Sequence, residues 1–255
     1  MKFDLIIPIY NAPPGWEQRL IHTLHCMCQS YLKNEADALS VIVVNDGSSR
    51  NFTNKEIDIL NRSGFEFTIV SYDENKGKGY AVREGVRQSK SDYCIYTDED
   101  MPFGINSISL VLQELRKGRD IVTGSRDRKT YFDKTPFWRK MISKMLVGIN
   151  KYVLRLPVTD TQAGIKGFNT LGKEIFLQTK INRFLFDLEF ICIAKDLNDV
   201  AISEVTVITE QHISLSELKV KVLLHEIGNL FKVAFRRKKY GYNKKDLTWS
   251  RPGGI

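Results

Sequence analysis

Short apolar runs alternate with amphipathic segments along the first half of the chain. The apolar runs predict strands at 3–9, 40–44, 65–71 and 93–96. Strands covered on both faces of a sheet are nearly continuous in apolar residues, as these runs are. Helical spacing is found at 16–31, 54–61, 79–88 and 107–116, the last with Asn106 or Ser107 as its expected cap. Such alternation predicts a mostly parallel sheet with right-handed crossovers between its strands.

The second half of the chain predicts a similar mixture with less regular spacing. Helices are predicted at 137–154, 171–178 and 186–195, and strands at 120–123 and 201–209. Residues 161–169 are rich in glycine and predict irregular or strand-like structure, whereas the basic and aromatic residues 127–138 predict a loop that is mobile or is ordered by a ligand. Because no repeat or linker interrupts this pattern, we expect a single α/β domain over residues 1–212.

The C-terminal part of the chain has the longest helical pattern, and it is amphipathic and basic. Apolar residues of segment 213–240 share one broad face, and the cluster Arg236-Arg237-Lys238-Lys239 ends it. This profile is typical of a helix lying at an anionic membrane surface. It equally fits a helix that packs on the domain with a solvated basic end. Residues 241–255 predict a tail without regular structure.

Composition and charge narrow the possible classes of protein. The chain has 255 residues, of which 42% are hydrophobic and 27% charged, as in ordinary globular proteins. No run approaches the ~18 apolar residues that a membrane-spanning helix needs. The formal net charge of +8 suits anionic partners such as nucleotide diphosphates, lipid phosphates or nucleic acid. The four cysteines lack zinc-type spacing, which favours free thiols in a reducing cytoplasm.

Three consecutive acids at the end of a predicted buried strand are the most distinctive chemistry in the chain. The strand at 93–96 runs through Thr97 into Asp98, Glu99 and Asp100. In extended backbone Asp98 and Asp100 would point to one side and Glu99 to the other. Two neighbouring carboxylates repel each other, and a divalent cation would relieve that repulsion. The stretch therefore predicts a metal site.

Two other loops at strand ends offer polar groups that would complement a metal and a phosphate. Asp46 follows the second strand and can accept hydrogen bonds from a base or a ribose, or it can form a turn with Gly47. The loop 75–79 places Lys78 between two glycines ahead of a helix, where backbone N–H groups and the helix dipole can receive phosphate. Its spacing is not that of an ATP-binding P-loop.

Several motifs in fixed order resemble one enzyme family. They are Pro8-Ile9-Tyr10-Asn11, Val43 to Ser49 (VVNDGSS), Gly77 to Gly85 (GKGYAVREG), Thr97 to Asp100 (TDED), Gly124-Ser125-Arg126, Asp160 to Phe168 (DTQAGIKGF) and Phe186 to Glu189 (FDLE). Together they resemble the inverting family-2 glycosyltransferases of GT-A fold. The last two motifs are similar to the subgroup that glycosylates polyprenyl phosphate, especially dolichyl-phosphate β-glucosyltransferases. The resemblance extends from about residue 3 to residue 210.

The resemblance implies a donor half, about 1–100, that binds a nucleotide sugar. Within it, Pro8, Tyr10, Asp46 and Lys78 would contact the donor. Asp98 and Asp100 would face the diphosphate and hold Mg²⁺ or Mn²⁺, with Asp100 as the more direct ligand and a catalytic residue. The implied reaction is metal-assisted displacement at the anomeric carbon with inversion, and UDP-glucose is the expected donor.

The acceptor half implied by the resemblance covers about 101–212. There Arg126 would pair with a phosphate of donor or acceptor, or else form a structural ion pair. Lys166 would approach a lipid phosphate, and Asp160 is the first candidate for a catalytic base. Asp187 and Glu189 are open to two interpretations, since acids are also favourable at the start of a helix.

The chemistry of the acceptor separates the two main functional hypotheses. A sugar hydroxyl needs a carboxylate base, whereas a polyprenyl phosphate is already anionic near neutral pH and needs cations to align it. The basic surplus favours polyprenyl phosphate, in a protein that is cytoplasmic and peripheral at the inner face of the cell membrane. The alternative is a soluble-acceptor family-2 transferase that builds cell-surface polysaccharide. A nucleotide-binding module without catalysis is a third hypothesis, and the lack of an aromatic-basic stripe argues against a nucleic-acid partner.

Overall fold

A seven-stranded sheet lies at the centre of the computed structural model, which describes residues 2–31, 38–127, 137–197 and 199–209. The strands are β1 (Lys2–Ile9), β2 (Ala38–Asp46), β3 (Glu66–Tyr72), β4 (Tyr93–Thr97), β5 (Ile121–Arg126), β6 (Ile165–Phe168) and β7 (Ile202–Val207). Their order across the sheet is β3-β2-β1-β4-β6-β5-β7. Every neighbouring pair is parallel except the two pairs that involve β6. The predicted mostly parallel α/β domain is confirmed.

Helices connect these strands and cover both faces of the sheet. They are α1 (Trp16–Tyr31), α2 (Asn54–Asn61), α3 (Lys78–Gln88), α4 (Gly104–Arg116), α5 (Phe137–Gly148), α6 (Thr170–Leu177) and α7 (Phe186–Asp196). A π-helical turn, Ile149–Val153, continues α5. The predicted cap of α4 was wrong, because the helix begins at Gly104 and the Ser107 hydroxyl donates to the Gly104 carbonyl at 2.6 Å.

Two apolar layers, one on each face of the sheet, form the core. On one face, Tyr96 packs with buried residues of α3, α6 and α7, such as Val82, Phe176 and Phe190. On the other face, Ile95 packs in the layer that holds residues of α1 and α4. Neighbouring strand residues point to opposite faces, so a strand buried on both sides must be apolar at every position. This double burial explains the continuous apolar runs of β1, β2 and β4.

The strand order reverses between β1 and β4, and the site forms at their carboxyl ends. β2 and β3 lie on one side of β1, whereas β4 and the later strands lie on the other. Open α/β sheets bind ligands in the crevice at such a switch point. β6 runs antiparallel, and Ile165 pairs with Thr97 at the last position of β4. The loop 160–164 therefore reaches the edge of the sheet where Asp98 lies.

Some expectations concern residues outside the part of the chain that the structure describes. These are the C-terminal helix at 213–240, the tail at 241–255 and residues 128–136 of the predicted loop. Within the described residues, no helix is long and apolar enough to cross a membrane. The four cysteines are unbridged, as expected from their spacing.

Candidate active site

The acids after β4 lie in a tight turn. The Met101 N–H donates to the Asp98 carbonyl at 3.0 Å, and Met101 adopts a left-handed backbone with φ of 44°. The expectation that Asp98 and Asp100 share a side because the backbone is extended was therefore wrong in its premise. The strand ends at Thr97, and the turn determines where the carboxylates lie.

All three acids of this turn influence one another electrostatically. Burial, together with the charges of Asp98 and Asp100, raises the pKa of the Glu99 carboxyl to about 7. Burial and the Asp98 charge also raise the pKa of Asp100. Glu99, which was expected to point away, thus belongs to the same cluster of negative charge. Each additional ionised carboxylate here costs free energy through repulsion from its neighbours, and a bound cation would relieve that repulsion.

Lys78 is the cation that meets this cluster. It is the first residue of α3, and its ammonium forms an ion pair with Asp98. Burial lowers the pKa of Lys78, but the charges of Asp98 and Asp187 more than compensate, so its pKa is raised. The ammonium stays protonated at neutral pH and holds the Asp98 carboxylate from the side of α3.

Three of the backbone N–H groups at residues 76–79 that were expected to receive phosphate have partners within the protein. The N–H groups of Lys76 and Gly77 donate to the Asp46 carboxylate at 2.8 and 2.9 Å, and that of Gly79 donates to the Asn182 carbonyl at 2.8 Å. These donors are already satisfied within the protein. Gly77 is required for a different reason: its φ is 101°, and a Cβ atom there would collide with the Asn182 carbonyl.

Asp46 organises the loop that enters α3. Its buried carboxylate accepts the two N–H groups of Lys76 and Gly77, the Tyr72 hydroxyl at 2.8 Å and the Asn75 amide at 2.8 Å. Asp46 thus has a structural role, which is to hold loop 75–77. Whether Asp46 also contacts a nucleotide stays a prediction.

Pro8 and Tyr10 lie at the carboxyl end of β1, beside the switch point. Pro8 is buried and faces Val44 in the parallel register, whereas Tyr10 is 51% exposed. The loop after Tyr10 is fixed to the β2 loop, because the Asn11 N–H donates to Ser48 Oγ at 3.0 Å and the Ser49 N–H donates to Asn11 Oδ1 at 3.0 Å. An exposed aromatic ring on a fixed loop can stack on a base.

Arg126 and Asp160 form a bidentate ion pair across the acceptor half. Arg126 is the last residue of β5, and its Nε and Nη2 atoms lie 2.7 and 2.9 Å from the two oxygens of Asp160. Burial would raise the pKa of Asp160, but the Arg126 guanidinium outweighs it, so the pKa lies below its ordinary value. Both charges are about four-fifths or more buried. A carboxylate held in this way is a weak base and a good positioning group.

Lys166 lies inside the protein, beneath the acidic turn. Its ammonium is fully buried and lies 2.8 Å from the Asp187 carboxylate and 2.9 Å from the Ala163 carbonyl. Tyr96 also donates its hydroxyl to Asp187. The expected direct approach of Lys166 to a lipid phosphate would require breaking this buried network, so we assign Lys166 a positioning role.

The Lys166 network connects to the acidic turn through Gly164. A Cβ atom at position 164 would displace the Asp98 carboxylate, so glycine lets the loop lie against that carboxylate where it stands. Lys166 holds the Ala163 carbonyl next to that glycine. The sequence had pointed to Lys166 and Asp98 separately. The buried pairing of Lys166 and Tyr96 with Asp187 was missed, because no local pattern pairs a strand tyrosine with an acid 91 residues later.

Glu189 has a structural role that differs from that of Asp187. Its buried carboxylate accepts the N–H groups of Lys180 and Ile181 at 2.8 and 2.7 Å. The same loop is held from the other side by Arg83 of α3, which donates to the Ile181 carbonyl at 2.8 Å. Asn182 of this loop contacts Gly77 and Gly79, so Glu189 and Arg83 support the start of α3 where Lys78 lies.

The acidic turn fits a divalent cation that takes part of its ligands from the protein and the rest from a diphosphate. Within the described part of the chain, no cluster of three or more His, Cys, Asp or Glu residues forms a complete metal site. Mg²⁺ and Mn²⁺ need fewer protein ligands when phosphate oxygens and water complete the coordination shell. Asp98 and Asp100 would supply the protein part, because burial and the Asp98 charge raise the pKa of Asp100 and a cation would relieve that repulsion.

The fold is that of a GT-A-type glycosyltransferase, and the family is shown directly. The family described as glycosyl transferase family 2 matches residues 4–179. The chain belongs to this family, and it is therefore a glycosyltransferase.

Curated relatives place the chain near enzymes that use dolichyl phosphate. A dolichyl-phosphate beta-glucosyltransferase of Trichomonas vaginalis is 26% identical over 242 residues, covering 91% of this chain and 72% of the relative. One of Dictyostelium discoideum is 28% identical, covering 80% and 65%. A dolichol-phosphate mannosyltransferase of Pyrococcus furiosus is 25% identical, covering 74% and 51%. The chain thus spans between about half and three quarters of the length of these relatives.

Solved structures confirm the fold. Mannosyl-3-phosphoglycerate synthase from Rubrobacter xylanophilus superposes with a TM-score of 0.67 at 17% identity, covering 94% of this chain and 74% of that one. Glucosyl-3-phosphoglycerate synthase from Mycobacterium tuberculosis, in complex with Mn²⁺, UDP and phosphoglyceric acid, superposes with a TM-score of 0.64 at 14% identity, covering 92% and 78%.

Proposed function

We propose that the chain transfers glucose from UDP-glucose to a polyprenyl phosphate, with inversion and with the help of a divalent cation. One observation carries the proposal: a single loop connects the two halves of the site. Gly164 lies against Asp98 of the acidic turn, and Asp160, four residues earlier, holds Arg126. This short segment would therefore join a group that serves the donor diphosphate to a group that serves a phosphate acceptor.

On the donor side, the acidic turn and Lys78 would handle the charge of the diphosphate. A cation bound by Asp98 and Asp100 would act as a Lewis acid on the departing nucleoside diphosphate. Lys78 keeps its positive charge next to Asp98 and can stabilise the negative charge that develops on the leaving diphosphate. Tyr10, exposed at the end of β1, is the candidate to stack on the base.

On the acceptor side, Arg126 would align the attacking phosphate. A phosphate monoester is largely dianionic near neutral pH, so it needs orientation and no proton removal. Arg126 has a planar fork of donors suited to phosphate, and Asp160 already presents it in one orientation. The lowered pKa of Asp160 makes it a poor general base, which also favours an acceptor that needs none.

The alternative function is transfer to a hydroxyl of a soluble acceptor. The Mycobacterium tuberculosis neighbour was crystallised with phosphoglyceric acid, a small acid that carries both a phosphate and a hydroxyl group. In that case Arg126 would bind the acceptor's phosphate, and Asp160 would become the base. The two functions make different demands on Asp160, and an acceptor series distinguishes them.

The test is a transfer assay with matched acceptors and donors. The purified protein is incubated with radiolabelled UDP-glucose or GDP-mannose, Mn²⁺ or Mg²⁺, and a short polyprenyl phosphate or the corresponding polyprenol. We expect label to enter the organic phase with UDP-glucose and the phosphate only, and to be lost with a chelator. Asp100→Asn should abolish transfer, whereas the control Asp58→Asn, on an exposed face of α2, should not. Failure of every nucleotide sugar to label the lipid would refute the lipid acceptor.

The cellular setting and the division of the domain follow from this function. A polyprenyl phosphate acceptor is held in a bilayer, so the protein would work as a peripheral protein at the inner face of the cell membrane. Residues up to about 100 would serve the donor, and residues 101–212 the acceptor. The segment 213–240 would add a basic amphipathic contact with the same surface.

A further inference from the structure

The π-helical end of α5 carries an unusual concentration of exposed apolar side chains. Among the described residues, eight large hydrophobic side chains are exposed, and four of them lie within the short stretch from 141 to 153. These four, which we call the apolar ridge, are Met141 (58% exposed), Met145 (53%), Tyr152 (73%) and Val153 (61%). Single exposed apolar residues need no explanation, but a contiguous group in a polar chain indicates a contact surface.

The ridge lies along a continuous helical segment. Met141 and Met145 are four residues apart in α5, a spacing that keeps side chains on the same face of an α-helix, and Tyr152 and Val153 lie in the π-helical turn that continues it. The opposite side is anchored, because Asn150 is buried and the Leu154 carbonyl accepts the Lys195 ammonium at 2.6 Å. The ridge therefore faces outward from a fixed support.

The charge around the ridge indicates what it contacts. Between residues 137 and 158 the chain has five basic residues and no acid: Arg139, Lys140, Lys144, Lys151 and Arg155. Lys144, Lys151 and Arg155 are exposed. Apolar side chains mixed with lysine and arginine, without any acid, match the boundary between acyl chains and anionic headgroups.

A second basic segment of the same chain is a poor candidate to cover the ridge. Residues 213–240 contain seven lysines and arginines and only two acids, so they would be repelled by the basic surround. Both segments instead match an anionic surface outside the protein. Charge complementarity thus favours a membrane over this chain's own C-terminal segment.

The ridge is connected directly to the acceptor side of the site. The Asn150 amide donates to the Thr161 hydroxyl at 3.3 Å, and Thr161 follows Asp160, the partner of Arg126. The Leu156 N–H donates to the Asn150 carbonyl at 2.8 Å, which fixes the intervening loop. If the protein contacts a bilayer through the ridge, the side of the site that holds Arg126 comes close to the lipid headgroups.

We propose that the apolar ridge, with its basic surround, inserts into the interface of an anionic membrane and holds the acceptor side of the site at the bilayer. This inference rests on the proposed polyprenyl phosphate acceptor for its purpose, but the contact itself requires no catalysis. It adds a membrane contact within the catalytic domain, independent of the segment 213–240.

Vesicle flotation of the full chain tests the proposal. The vesicles are phosphatidylcholine alone, or phosphatidylcholine with phosphatidylglycerol. We expect binding to the anionic vesicles that weakens with salt. Met141→Ser/Met145→Ser should weaken it at least about tenfold, since each CH₂ group withdrawn from lipid costs roughly fourfold in affinity. The matched control is Leu110→Ser, an exposed apolar residue of α4, which should bind like the unchanged chain.

Three results would overturn the proposal. The first is equal vesicle binding by the unchanged chain and by Met141→Ser/Met145→Ser, which we call the ridge variant, or no binding by either. The second is a dimer in solution that the ridge variant dissociates, which would make the ridge an interface between copies. The third is that the ridge variant makes segment 213–240 newly sensitive to protease, which would show that this segment covers the ridge. Unchanged thermal melting of the variants confirms that their folds are intact.

Failure of the proposed function would be recognised separately. When the transfer assay is run with the polyprenyl phosphate in detergent, the ridge variant should transfer sugar at the normal rate, because detergent delivers the acceptor without a bilayer. With acceptor in anionic vesicles its rate should fall along with its binding. Normal vesicle binding combined with no transfer to any lipid would refute the acceptor and leave the membrane contact in place.

Discussion

Removal of the Lys166 ammonium should be among the most damaging single changes in the protein. The ammonium is fully buried and lies 2.8 Å from the Asp187 carboxylate. At an effective dielectric constant of about 20, that distance corresponds to an attraction of about 6 kcal/mol, which desolvation of both ions largely offsets. Lys166→Met removes the attraction but leaves Asp187 buried, so we expect a loss of about 3–5 kcal/mol in the free energy of unfolding. That is a large share of the roughly 5–15 kcal/mol of a typical domain.

A double-mutant cycle separates the ion pair from simple packing. Asp187→Asn should also destabilise, because it leaves the Lys166 charge without its partner. Lys166→Met together with Asp187→Asn buries no charge, so the double variant should be more stable than the sum of the single effects by about 1–3 kcal/mol. Lys173→Met is the matched control, because among the residues that the structure describes its ammonium donates to two neutral groups, Ser89 Oγ and the Ser91 carbonyl. It should cost about 1 kcal/mol.

Urea unfolding at neutral pH measures all four variants, and the transfer assay supplies a second readout. Since Lys166 holds the Ala163 carbonyl beside Gly164, its loss should release the loop from Asp98 and raise the concentration of Mn²⁺ needed for half-maximal activity. Lys173→Met should leave that concentration unchanged. Single variants that each cost under about 1 kcal/mol and combine additively would show that the buried pair does not hold the site together.

Three further predictions concern the acidic turn and its neighbours. Gly164→Ala should push the Asp98 carboxylate aside and weaken Mn²⁺ binding measured by calorimetry, whereas Gly148→Ala, which meets open space, should not. Glu99→Gln should stabilise the metal-free protein above pH 7, because the pKa of Glu99 is raised from 4.5 to about 7. Thermal melting should show that this gain in stability vanishes below pH 4.5. A gain that does not depend on pH would contradict the charge cluster. The pKa of Asp160 is lowered, so its carboxylate stabilises the fold at any pH above the ordinary aspartate pKa of 3.8. The stability to urea that Asp160→Asn loses should therefore shrink as the pH falls below 3.8. A loss that stays constant with pH would argue against the Arg126 ion pair.

Much of the fold could be predicted from the sequence because its signals are local. The buried strands β1, β2 and β4 are continuous apolar runs, and this pattern follows directly from burial on both faces. β6 was less clear, since it has only four residues, Ile165–Phe168, and includes a glycine. Its antiparallel position between β4 and β5 depends on partners far away in the chain, which no local pattern encodes.

The candidate site was predictable in its residues but not in their pairings. Asp98, Arg126, Asp160 and Lys166 were all identified from motif order. The ion pairs that Asp98 forms with Lys78 and that Arg126 forms with Asp160 depend on tertiary geometry. The backbone N–H groups near Lys78 were expected to bind phosphate, but tertiary contacts with Asp46 and Asn182 had already satisfied them.

The position of β6 also has a consequence for how the chain folds. Strands β1 to β4 associate through connections that are short in sequence, but β4 gains its second neighbour only when β6 arrives roughly seventy residues later, and such long-range pairings form slowly. Until then β4 is an open edge that could pair with another chain. Insertion of β6 closes that edge and in the same step brings Gly164 to Asp98. The site is therefore completed in the same step that covers the second edge of β4, and we expect chains in which β6 has not yet paired to be inactive and prone to aggregation.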